Sequence, residues 1–150
     1  MRKMEASEQI SIVAAGVFFL TALLTGVWKY LQIRASDTAS AHPYVDIAHR
    51  ASLMYSFAAL LLAHFASLSQ LSPGVEFWAV TFPLLYFASA ILTYITHGAL
   101  RDTDNQLRKP YKLGETPLPT LFIVGYMWTL IAAEIGGFSV LFYGVLTAIF

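Results

Sequence analysis

An all-α, integral-membrane four-helix bundle is the fold class this sequence predicts. Three observations lead there. Of the 150 residues, 57% are hydrophobic and only 12% charged, about half the ~25% charge of a soluble domain. Mean hydropathy is +0.63. Four apolar stretches each reach the roughly 20 residues that a spanning helix needs. With no internal repeat and no low-complexity segment, residues 1–150 read as a single transmembrane domain.

The first span is expected at about 10–31. Trp28, Lys29 and Tyr30 at its end suit the headgroup level, and Gly16 and Gly26 allow close helix approach. Its apolar run is too long for a signal-peptide core and no Ala-x-Ala-like site follows, so it is expected to be retained. A Ser-, Asp- and Pro-containing loop comes next. Pro43 pushes His42 away from helical geometry. The second span is expected at about 47–71, with Asp46 at its start, where a carboxylate suits the helix dipole. Ser72-Pro73-Gly74 makes a tight connection to a third span at about 76–100, with Pro83 as its expected kink. A polar segment from Arg101 to Glu115 reads as an ordered re-entrant or surface loop. The fourth span, about 119–147, belongs to a stretch longer than a bilayer requires. It is expected to tilt, to kink near Gly136-Gly137 or to project.

Four spans put both termini on one side. Lys29, Arg34 and Arg50 flank the first long loop, and Arg101, Arg108, Lys109 and Lys112 the second. The other face has Arg2 and Lys3. By the positive-inside rule the long loops are cytoplasmic, in a membrane expected to be the bacterial inner membrane. Net charge is zero and no basic run is long enough to track phosphates, so nucleic acid is not an expected partner. The absence of Cys removes disulfides, thiolate metal sites and thiol catalysis.

Depth separates the four histidines. His42, His49 and His97 lie towards the long-loop face, whereas His64 is 15 residues beyond His49, roughly 22 Å along the helix. The first three converge if helices two and three are neighbours. An apolar bundle with an inward His is a setting for b-type haem, whose propionates want cations such as Arg50 and Arg101. The blander reading is an interfacial His bonded to water or headgroups. A metal reading uses Asp46 and His49 at i, i+3 with Asp102 and Asp104, against a solvated, salt-bridged loop. Glu134 is the acidic residue deep in a span. It is protonated, paired or facing a polar cavity. It reads equally as a proton carrier, as a partner for His64, or as a packing residue bonded to a neighbouring carbonyl. Tyr55, Tyr86, Tyr94, Tyr126 and Tyr143 lie within spans, with Tyr86 and Tyr94 about two turns apart on roughly one face.

The Ala48-His49 pair at the start of helix two, the helix count and Tyr94 together resemble the styrene oxide isomerase family. The Asn105-Gln106 pair and Gly26-Val27-Trp28 resemble further stretches of it. The resemblance implies a homotrimer with haem b between neighbouring subunits, and His49 as the axial iron ligand. It implies ferric iron acting as a Lewis acid that turns a small apolar epoxide into a carbonyl compound. In a gap-free register Tyr94 matches a tyrosine of the family site. Tyr55 stands where the family has an asparagine and Tyr86 where it has an aspartate. The site expected by this resemblance is Tyr94, Tyr55 and Tyr86 for catalysis, with His49, Arg50, Arg101 and Asn105 holding the cofactor.

Two rival functions stay open. His97 as a second axial ligand beside His49 makes a non-catalytic electron carrier or sensor. Glu134 with His64 makes a small proton-coupled transporter.

Overall fold

The structure, a computed structural model, describes residues 4–150. Arg2 and Lys3, which enter the charge count, lie outside the described residues. The chain forms α1 (Ala6–Ala35), α2 (Pro43–Leu68), α3 (Pro73–Leu100) and α4 (Thr120–Ile149). Between α3 and α4 lies a two-stranded antiparallel hairpin, β1 (Lys112–Leu113) and β2 (Thr116–Pro117). All four helices are long and apolar enough to cross a membrane. Their outer faces agree: Val13, Leu24, Leu92, Leu121 and Ile135 are each more than 60% exposed. Water would penalise such a surface, and lipid would not.

Helix boundaries follow local chemistry. α2 starts at Pro43, four residues ahead of the expected Ile47, because proline at the first helical position is preset for a helix. His42 is its N-cap in extended geometry (φ −57°, ψ 136°), as a residue before proline should be, and its Nδ1 accepts from the Tyr44 N–H. α2 ends at Leu68 rather than Leu71, where Ser69 turns extended. α3 ends at Arg101, which takes a left-handed conformation (φ 52°).

α2 and α3 form the centre, each packed on both other helices, with α1 and α4 on opposite sides of the pair. Their seams use small residues. Ala22, Ala48 and Ala59 are fully buried, with Ala15, Ala66, Ala79 and Ala90 nearly so. Such residues let helices approach where hydrophobicity alone cannot join them. Phe18, Leu62, Val80, Leu84, Phe87, Ile91 and Leu141 fill the core between them.

α4 runs unbroken through Gly136 and Gly137. The glycine pair does not end the helix there; Gly137 serves close approach. Pro83, inside α3, has no N–H for the Ala79 carbonyl four residues earlier. The backbone of Gly137 rests against that carbonyl and the Pro83 ring. Gly144 meets Ser69 and Leu71 in the same way one end further on. The buried residues of α4, Leu141, Gly144 and Val145, all belong to this half. The half nearer the hairpin is more open.

A methyl group at 137 would collide with Ala79 and with the Pro83 ring, whereas one at 136 would meet nothing within 4 Å. Gly137→Ala should therefore destabilise the protein by about 1–3 kcal/mol and lower its melting temperature in detergent. Gly136→Ala should match or slightly exceed wild type, since alanine is the better helix former. Equal melting temperatures for the two variants would contradict this account of the α3–α4 seam.

Candidate functional site

His49 sits on the α1–α2 seam. Its ring lies against Gly26 of α1, where a Cβ would stand 3.0 Å from Cε1 and 3.1 Å from Nδ1. Gly26 is thus the space the imidazole occupies. One turn earlier in α1, the Ala22 carbonyl oxygen lies 2.8 Å from His49 Nδ1. A carbonyl can only accept, so Nδ1 carries a proton, and in the neutral ring Nε2 carries the lone pair. Nε2 has no hydrogen-bond partner among the described residues and is not sealed in the interior. One turn back along α2, Asp46 bridges Lys29 of α1 and Arg50. This ion cluster pins the two helices at the level of His49. Arg50 itself is largely exposed beside the histidine.

The tyrosines collect on the other side of α2. Tyr55 lies six residues after His49, a rotation of about 240° on an α-helix. It stacks on Phe87 of α3, ring centroids 4.3 Å apart. Tyr55 and Tyr94 are close neighbours, and both lie in the electrostatic reach of Tyr126 and Glu134 of α4. The Tyr126 hydroxyl bonds Ser89 Oγ at 2.7 Å, and its ring meets Tyr86 at 5.7 Å. Three helices therefore contribute phenols to one polar cluster inside an apolar bundle. Glu134 Oε1 is buried without a hydrogen-bond partner among the described residues. His64 is exposed and no hydrogen bond joins it to Glu134 among the described residues.

The three loop-end histidines do not converge as a set. Tyr44 stands between two of them, with its ring 6.3 Å from that of His42 and 5.1 Å from that of His97, and it also stacks on Tyr94 at 6.0 Å. His97 is 2% exposed. Its Nδ1 lies 2.8 Å from Asp102 Oδ1, and Asp102 Oδ2 accepts from the Gly114 N–H of the hairpin at 2.6 Å. His97 and His49 thus turn to different seams. The Nδ1 partners of the two rings lie on different elements, Ala22 of α1 for His49 and Asp102 of the second loop for His97. Burial opposes ionisation of Asp102, but the hydrogen bonds from His97 and Gly114 outweigh it and hold its carboxyl below the ordinary range.

The remaining expected residues separate. Arg101 caps α3 and faces His42 across a groove that includes Gln32 and Asp37. Asn105 shapes its own loop, its Oδ1 accepting from the Leu107 N–H. Asp104 pairs with Arg108. Among the described residues no three His, Asp or Glu side chains are grouped so as to hold a metal ion, so Asp46, His49, Asp102 and Asp104 do not form the metal site considered from sequence. Cavities lie at the α3–α4 seam, under the second loop, and between α1 and Arg101, and His49 lines none of these. Comparison with protein-family models, with curated proteins and with solved structures returned no match.

Sequence reasoning passed over Tyr44, and treated Tyr126 as one phenol among many. The signal available for Tyr44 was its place two residues after a capping histidine. The signal for Tyr126 was only its apolar surroundings.

Burial and the neighbouring Arg101 cation hold the His42 imidazole below its ordinary range. Its neutral form is the one that can accept from Tyr44. Because the folded value is lowered, this contribution is complete above the unfolded value of about 6.5 and is lost as pH falls through the folded value. Amide exchange at Tyr44, corrected for intrinsic rates, should accelerate between about pH 7 and pH 5. In His42→Asn, which caps without titrating there, the corrected rate should stay flat. A flat profile in wild type would refute the capping role.

Proposed function

We propose that the chain binds haem b through His49 on its membrane-embedded surface and acts as an epoxide isomerase of the kind it resembles. The orientation of His49 carries the reading. A carbonyl holds Nδ1–H, as it does for many metal-ligating histidines, so the ring is fixed and Nε2 is free to ligate. Gly26 removes the side chain that would displace the ring. Leu23 and Tyr30, both more than half exposed and on the Gly26 side of α1, offer apolar walls. Arg50 stands beside the ring as the cation for a propionate.

Ferric haem held there supplies a Lewis acid for the oxygen of a small apolar epoxide. The chain's own share is positioning. Tyr94 and Tyr55 present hydroxyls that orient the substrate and donate to its developing negative oxygen. Tyr86 and Tyr126 support them through ring contact and the Ser89 bond. Apolar walls keep water from the electron-poor carbon.

His49 and Tyr55 stand about 120° apart around α2, the first turned to α1 and the second to Phe87 of α3, so a flat macrocycle bound at His49 would lie on a different face from Tyr55 of the same chain. A ring of copies resolves this. The His49 face of one copy meets the tyrosine face of the next, the heterologous contact that closes into a cyclic oligomer, a homotrimer by resemblance. In the same reading the long loops lie on the cytoplasmic side of a bacterial inner membrane. The buried, unpaired Oε1 of Glu134 favours a second reading, a proton-coupled carrier. That reading requires transport that fails in Glu134→Gln and is indifferent to His49→Ala.

The purified protein should show a Soret band, directly or after haem addition, that His49→Ala abolishes. Gly26→Val should weaken haem binding by crowding the ring. Absence of the band in wild type rejects the reading. With haem retained, Tyr94→Phe should lower the isomerisation rate about 10²-fold, the usual cost of one oxyanion donor. An unchanged rate would remove Tyr94 from the site.

A further inference from the structure

The second long loop roofs a cavity of about 350 Å³ that the proposed haem face does not use. Its floor is the end of α3, with Thr93 and His97, and its wall is the start of α4, with Phe122 and Tyr126. Gln106 and Lys112 come from the roof. The volume falls in the range of small-molecule pockets, which start at about 300 Å³.

The lining is mainly apolar, but two acceptors are left open. Asp102 accepts from His97 Nδ1. Nδ1 therefore carries a proton, and in the neutral ring Nε2 is an acceptor for which no hydrogen bond is found among the described residues. Gln106 Oε1 is buried and also unpaired. Buried polar atoms are nearly always paired, so the open Gln106 Oε1 beside this cavity marks a missing donor. Floor and roof are held independently of any occupant. Asp102 joins His97 to Gly114, and the Tyr44 hydroxyl accepts from the Gln106 N–H. A site held in shape this way loses little freedom when it binds.

We infer that this cavity is a second binding site, for a small apolar molecule that carries a hydroxyl, a phenol or an alcohol. Its O–H is donated to His97 Nε2 or Gln106 Oε1, and its oxygen accepts from Lys112. Its hydrocarbon body fills the space between Phe122 and the loop leucines. A ketone or ether of the same size brings only acceptors and leaves both protein acceptors unpaired, so the site discriminates against it.

The test is a fluorescence titration of the full chain in detergent with 2-naphthol, run beside naphthalene and against detergent alone. Saturable 2-naphthol binding, about tenfold or more tighter than naphthalene, is expected. His97→Phe and Gln106→Met should each weaken 2-naphthol while sparing naphthalene. Because His97→Phe also breaks the Asp102 contact, Ile123→Trp provides a second route. It fills the cavity from α4 without touching that pair and should abolish both ligands. His49→Ala should retain 2-naphthol binding. The inference is overturned by the absence of saturable binding, which would mean that water fills the cavity. It is equally overturned by equal affinity for the two probes, by unimpaired binding in Ile123→Trp, or by loss in His49→Ala.

Discussion

Polar groups inside a bilayer have no water to turn to, and that constraint organises this molecule. Most side-chain hydroxyls in the spans return their proton to their own helix. Ser11 bonds Ser7 O, Thr25 bonds Thr21 O, Thr81 bonds Phe77 O and Thr93 bonds Ser89 O. These groups are silent. Among the described residues, those that stand out do not close on themselves: His49 Nε2, His97 Nε2, Glu134 Oε1 and Ser52 Oγ in the helices, and Gln106 Oε1 in the loop. In a chain so thoroughly paired, an open acceptor is a place where something else is expected. Ser52 lies one turn after His49, fully buried, and nothing in its surroundings explains its unpaired oxygen.

Glycine does two different jobs at the seams. Gly137 brings the α4 backbone against the carbonyl that Pro83 leaves free, so a proline that weakens one helix becomes the contact point for another. Gly26 gives up its side-chain volume to an imidazole on the facing helix. One is a packing contact and the other makes room for a side chain. The Lys29–Asp46–Arg50 cluster holds the register between α1 and α2 that keeps Gly26 opposite His49.

α2 is the element on which the functional reading turns. One of its faces presents His49 to α1, and the other presents Tyr55 to α3 and α4. The two faces lie about 120° apart around the helix, which is why an assembled oligomer belongs to the proposed function. At the loop end Asp102 acts as the fastener. With one oxygen on His97 and the other on Gly114, it fixes the hairpin over the α3–α4 cavity. A loop rich in Arg and Lys therefore owes its shape to a buried carboxylate, while Asp104, two residues on, has an exposed ion pair with Arg108.

The class of this protein was legible in composition and in four apolar runs, because the length of a span and the cost of burying charge are properties of a segment by itself. The caps were largely legible too: Pro43 and His42 set the start of α2 through local backbone sterics, and the misplacement of that start by four residues came from counting hydropathy instead of proline. Depth was legible, and it separated His64 from His49. Rotation was not. Whether His49 faces α1 or α3, whether His97 meets His49 or Asp102, and whether Gly137 bends a helix or receives one all depend on how neighbouring helices are turned about their axes. Every helix here is apolar nearly all round, so no polar stripe in the sequence reports that angle. Only packing sets it, through small residues whose partners lie tens of residues away. The sequence by itself determined that four helices are long and apolar enough to cross a membrane and which residues lie at each end. The tertiary structure alone decided which of them touch.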